Sequence, residues 1–308
     1  MGYRKPTETT RQYLESQPLP NHGKSYTVIS HKNVIDNTLN LFNQCGFKVE
    51  KEIYRANMNA NVAQGIYYIT PLNTTDTEII EETELGMMFA WTNSYDKSTR
   101  FQCAIGGYVK VCFNGMVAGD MLNFKRKHTG SAHQDIMTQL SNQIRNGEKY
   151  YKRILEDKEL MKNVTLNCQM QSELAGRLFI DEDILDSTQM SCVKNEIAKP
   201  TYNYNTKTDT AWTFYNHVTH ALKKAHPRDW LADQQNFHDF MTAECLNRTT
   251  NAMYELNYDN GLMKITLPRN FSLLNCKQVE LARIFFIVFN FFFYNFYLDI
   301  HILKTLEI

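Results

Sequence analysis

The sequence predicts an α+β protein: an antiparallel β-sheet with a covering helix, followed by a mostly α-helical C-terminal half. Three observations carry this. A helix-spaced apolar run precedes a series of short strand-like segments, and turn-forming residues separate those segments. After Thr129 the apolar spacing changes from two to three or four, the period of a helix.

Taken in order, residues 1–24 are polar, carry Pro18 and Pro20, and read as a flexible N-terminal arm. From His31 to Gln44, Val34, Ile35, Leu39, Leu41 and Phe42 recur at helical intervals, with Ser30 placed as N-cap and Gly46 just past the end. Strand-like segments follow at 47–58, 62–70, 84–95, 100–105 and 108–113, with breaks at Asn59-Ala60-Asn61 and Asp96-Lys97-Ser98. Short breaks imply antiparallel pairing, so residues 25–128 form a sheet covered on one face by the first helix. Residues 129–250 read as a helical region packed on that sheet. Ile136, Leu140, Ile144, Tyr151, Ile154 and Leu155 mark a long amphipathic helix to about Met161, with Gly147 as a bend. Shorter helices are expected at 171–179 and 188–198, then a 200–208 linker and helices at 209–224 and 228–246.

The C-terminal segment 251–308 is atypical. Residues 284–308 hold seven Phe and no Gly, Ala, Pro, Arg or Ser. Their composition is that of AT-rich codons, so this tail reads as non-native read-through without a function of its own. Its apolar run is broken by Asn290 and Asn295 and falls short of the roughly 20 residues a bilayer requires. No membrane span is expected.

Lys+Arg and Asp+Glu are both 33, so net charge is zero and the molecule is not a polycation. A nucleic-acid role must then rest on a local patch. Seven scattered Cys without a C-x-x-C indicate reduced thiols, and no apolar leader opens the chain, so a cytoplasmic location in the host cell is expected. There is no phosphate-binding Gly-rich loop, dinucleotide fingerprint or nucleophile elbow. No cofactor, catalytic residue or metal site is assigned.

The stretch from Trp91 to Gly130 is dense in unusual side chains and reads as a working surface. Within it, Lys125-Arg126-Lys127-His128 lies between the sheet and the long helix and could clamp phosphates; a solvated loop is the plain alternative. Lys149, Lys152 and Arg153, with Tyr150 and Tyr151 beside them, extend the basic track, against Glu148, Glu156, Asp157 and Glu159. On helix 209–224, His217, His220 and Lys224 form a stripe opposite Trp212, Tyr215, Val218 and Leu222. That stripe reads as solvated or phosphate-facing, and the aromatic residues as core. A metal site completed by His226 or His238 is the lesser alternative. Cys112 is expected to be a buried thiol, Asn114-Gly115 a turn, and the acidic run Asp181, Glu182, Asp183 and Asp186 a helix cap.

Several of these segments occur together in a known group. W-T-N-S-Y-D-K-S (91–98), G-G-Y-V-K-V-C-F-N-G-M (106–116), R-K-H-T-G (126–130) and D-T-A-W-T-F-Y-N-H-V-T-H-A-L-K (209–223) resemble the phage- and plasmid-associated proteins grouped as "domain of unknown function 932", over about residues 25–240. The resemblance implies a mobile-element origin and no established reaction. The layout of helix, hairpin-rich sheet and long helix is also similar to Rad52-type single-strand annealing proteins, which hold single-stranded DNA in a basic groove, usually as rings. These likenesses imply a non-enzymatic protein of replication or recombination, with single-stranded DNA and further copies of itself as partners. Two other classes stay open: a protein-interaction or structural module, and a metal-dependent enzyme using the His-rich C-terminal helices.

Overall fold

The chain folds as an antiparallel meander whose strand order in space is its order in sequence. A computed structural model describes residues 7–21, 28–117, 132–204, 206–253, 256–259 and 262–265. The strands are β1 (Thr7–Thr9), β2 (Phe47–Ala56), β3 (Val62–Pro71), β4 (Leu85–Ser94), β5 (Gln102–Val109) and β6 (Asn114–Val117). The turn residues enforce this order. Asn57 Oδ1 accepts from the Val62 amide at 3.1 Å, with Ala60 in the left-handed region. Asp96 Oδ1 accepts from the Ser98 amide at 3.0 Å, with Lys97 left-handed.

One sheet face is closed. Tyr67, Phe89, Trp91 and Ile105 point into the main core. Helices α2 (His31–Gln44), α4 (Ala132–Arg145) and α5 (Gly147–Asn163) cover it. Helix α2 starts where the Ser30 hydroxyl accepts from the Asn33 amide at 3.0 Å and stops before Gly46, which has φ +75°. Its Phe42 ring meets Tyr67 and Phe89 edge-on at 5.4 and 5.5 Å. Truncating a ring so buried costs about 3–5 kcal/mol. The amphipathic stretch expected as one helix is two, with α4 ending at Arg145 and α5 starting at Gly147, where a side chain would sit 2.5 Å from Ile105 Cδ1. The missing Cβ lets the start of α5 approach β5 closely.

Among the described residues, the opposite face is covered in part by the start of one helix. Ile66, Met88, Ala90 and Ala104 pack beneath Trp230 and Leu231 of α9 (Trp230–Met253). The remaining helices are α1 (Arg11–Glu15), α3 (Thr77–Glu81), α6 (Cys168–Ile180), α7 (Ser187–Ala198) and α8 (Ala211–Leu222). Asp186 caps α7 through a reciprocal bond with Gln189, as a carboxylate at a helix N-terminus should.

Two segments depart from the sequence expectation. Within the expected arm, Thr7–Thr9 pairs with β2, and Leu14 of α1 is buried. The strand expected at 108–113 ends at Val109, and Asn114-Gly115 belongs to β6 instead of forming the turn. Residues 110–113 make the reversal, with Phe113 at φ +56°. Met1–Arg248 forms one compact unit and Thr249–Ile308 another. In the second, β7 (Leu256–Asp259) and β8 (Leu262–Ile265) form an antiparallel hairpin, and segment 284–308 lies outside the described residues. Among the described residues, no helix is long and apolar enough to cross a membrane.

Candidate functional site

Lys125, Arg126, Lys127 and His128 lie outside the described residues. The other basic candidates are placed on α5 and just past α8. Lys149 is exposed on α5. Lys152 is committed to acids: its ammonium is 2.5 Å from Asp76 Oδ2 and 3.7 Å from Glu78 Oε2. Bonding to Lys152 holds the Asp76 carboxyl below its ordinary range. Arg153 lies 4.0 Å from Asp157, and Lys224 is exposed just past α8.

The W-T-N-S-Y motif is an anchor, contrary to its reading as a working surface. Its side chains are buried because each has an inward partner. Trp91 Nε1 donates to the Tyr67 hydroxyl at 3.2 Å, and Thr92 Oγ1 to the Pro227 carbonyl at 3.0 Å. Asn93 Nδ2 donates to Ile29 O at 2.9 Å and to His31 Nδ1 at 3.0 Å. The Tyr95 ring stacks on His31 at 3.9 Å, and its hydroxyl accepts the His31 amide. The motif ties the start of α2 to the sheet.

Of the expected His217, His220 and Lys224 stripe, His217 is buried and His220 partly so, whereas Lys224 is exposed. Helix α8 is buried along almost its whole length, with its histidines against α7 and the following linker. Glu196 of α7 accepts from the Thr201 amide at 3.0 Å and from its hydroxyl. The same carboxylate lies 3.8 Å from both His217 Nδ1 and His220 Nε2. Burial lowers His217 to about 4 against the opposing pull of Glu196, and lowers His220 in the same way. Both are therefore neutral near pH 7. His238 is engaged elsewhere, with Asp157 at 3.0 Å and the Tyr215 hydroxyl at 3.1 Å. Among the described residues, no group of three His, Cys, Asp or Glu could hold a metal ion. Trp212 and Tyr215 are core, and burial pushes the Cys112 thiol up to about 11, so it stays protonated.

What the sequence did not flag is an aromatic platform on the half-open face. The Cys112 and Phe113 amides both donate to Val109 O, at 3.2 and 2.7 Å, closing the 110–113 turn. This leaves Val111 53% and Phe113 43% exposed. A bulky residue in the left-handed region costs roughly 1–2 kcal/mol. Here that conformation lays the Phe113 ring parallel to Tyr108, at 5.5 Å and 6°. Tyr68 stands edge-on to both, at 4.5 Å from Tyr108 and 5.2 Å from Phe113. Gly86 makes room, since a Cβ there would overlap the Tyr108 ring. Lys51 Nζ caps the group, 4.9 Å from the Phe113 centroid and 5.9 Å from that of Tyr68.

A bulge puts the lysine there. The β2–β3 register shifts between Val49 and Lys51, so Val49 pairs with Ile69 but Lys51 with Tyr68. The extra residue moves Lys51 from the core face to the open one. Burial raises Tyr68 to about 12 and raises Tyr108 too, so neither phenol adds negative charge beside the lysine. On the far side of the turn, Lys223 Nζ donates to Cys112 O and lies 5.8 Å from the Tyr202 centroid.

Fold and site together define a class: an antiparallel meander that presents a cation-capped aromatic platform on the half-covered face of its sheet. The chain belongs to the family described as Domain of unknown function (DUF932), which matches residues 18–253. No match was found among curated proteins or among solved structures.

Proposed function

We propose that this protein binds single-stranded nucleic acid without transforming it, and that the ligand is single-stranded DNA. The observation that carries this reading is the Lys51–Phe113–Tyr108–Tyr68 group. Single-strand binders pair exposed rings, on which bases stack, with cations that meet the backbone; here Phe113 is the exposed ring, supported by half-buried Tyr108 and buried Tyr68. Zero net charge is compatible with this, because the cation need only be local. Lys125, Arg126 and Lys127 follow Val117 of β6 by eight to ten residues and are the further cations this reading draws on. The mobile-element setting implied by the sequence resemblance would make the ligand a strand exposed in replication or recombination, bound by an oligomer.

Fluorescence anisotropy with labelled oligo-dT and with a duplex of equal length tests the reading. The expected result is single-strand binding at 50 mM salt, lost by about 1–3 kcal/mol in Phe113→Ala, the worth of one stacked base. No binding by the wild-type chain, or equal binding by the variant, refutes it. One observation favours a second reading, docking of another protein: Val111 and Phe113 are adjacent exposed apolar side chains at one turn tip.

A further inference from the structure

We infer that the strand-binding surface continues across the β5–β6 turn to a second ring, Tyr202, with Lys223 holding the phosphate between two successive bases. This inference rests on the proposed single-strand binding and extends it. The same unit occurs on both sides of the turn: Lys51 stands 4.9 Å over Phe113, and Lys223 stands 5.8 Å over Tyr202. The two units are physically joined, because Lys223 donates to the carbonyl of Cys112, the residue bonded to Phe113. An ammonium has three donors, and that bond uses one. The half-buried Lys223 is thus placed at the turn with donors left for an anion. Its pKa is lowered by burial, so a phosphate beside it would restore the charged form's stability. The half-buried Tyr202 ring is set by His220, edge-on at 5.8 Å. Glu196 bonds inward to Thr201 and faces the two histidines, while its charge also reaches Lys223 and favours the charged ammonium. Lys224, exposed beside Lys223, meets the next phosphate.

The test uses the full chain, labelled oligo-dT and three variants, with affinity measured against salt. Tyr202→Ala and Phe113→Ala should each weaken binding about 5- to 150-fold with an unchanged salt slope, since each removes one stacked base. Their effects should multiply in the double variant if two bases are held. Lys223→Met should lower the slope of log affinity against log salt by roughly 0.7, one single-strand phosphate. If Tyr202→Ala binds like wild type while Phe113→Ala is impaired, the surface stops at the turn and this inference fails while the proposed function stands. If Lys223→Met loses affinity with no change in slope, and hydrogen exchange at the Cys112 and Phe113 amides accelerates, Lys223 only props the turn and the phosphate assignment is wrong. If wild type binds no oligonucleotide, both readings fall together.

Discussion

The β4–β5 and β5–β6 hairpins of the same sheet put similar residues to opposite uses. In the first, Thr92, Asn93, Ser94 and Tyr95 all turn inward and find partners: Pro227 O, Ile29 O, Thr99 O and the His31 ring. In the second, Val111 and Phe113 stay exposed, with Phe113 resting against Tyr108 and Tyr68. A dense polar motif is therefore no sign of a working surface when its side chains are buried and each makes at least one internal contact. An apolar ring held outward in a strained backbone conformation is a better sign, because neither burial nor ease of folding accounts for it.

The widest gap between the two hairpins should appear on truncation. Trp91→Ala removes a fully buried ring bonded to Tyr67 and should cost about 3–5 kcal/mol by urea denaturation. A loss under 1 kcal/mol would mean that this hairpin is not the anchor. Asn93→Ala should cost less, about 1–3 kcal/mol, since it strips buried Ile29 O and His31 Nδ1 of their donor.

Acid should act on the buried face of α8 and spare the platform. His217 titrates at about 4 in the folded chain and near 6.5 unfolded, so the unfolded state takes the proton first. The stability it contributes is complete above about pH 6.5 and is lost as pH falls toward 4. His217→Asn should flatten the stability profile across that window, measured by denaturation at stepped pH. An unchanged slope would place the titration elsewhere. The smallest effect expected is chemical: iodoacetamide should label exposed Cys168 in the native protein and leave Cys103, Cys112 and Cys245 unmodified until denaturant is added. Native-state labelling of Cys112 would show that the 110–113 turn opens.

Much of the fold was legible because local chemistry and tertiary packing agree. Ser30, the apolar spacing of α2 and Gly46 mark that helix end to end, and the Asn59–Asn61 and Asp96–Ser98 breaks mark two reversals. Gly147 was legible as a bend but not as the start of a second helix, and its close neighbour Ile105 lies on a distant strand. The platform was not legible for two physical reasons. Left-handed turn positions are read from Gly or Asn, and here the residue is Phe113, which looks like one more apolar strand residue. Lys51 faces Tyr68 only because of a bulge, and a one-residue slip in register leaves no mark in an alternating sequence. The histidine stripe of α8 was seen, but its polarity suggested solvent. The sequence does not show that α7 brings Glu196 against it.

The most direct test of the central claim is a single substitution measured two ways. Phe113→Asn keeps a residue that tolerates the left-handed conformation and removes the ring. Relief of the strain should offset the lost ring contacts with Tyr108, Tyr68 and Lys51 to within about 1 kcal/mol, while affinity for oligo-dT falls at least about fivefold. Binding lost at nearly unchanged stability would show that the ring serves the ligand more than the fold. A variant that binds as tightly as wild type would contradict the account, whatever its stability.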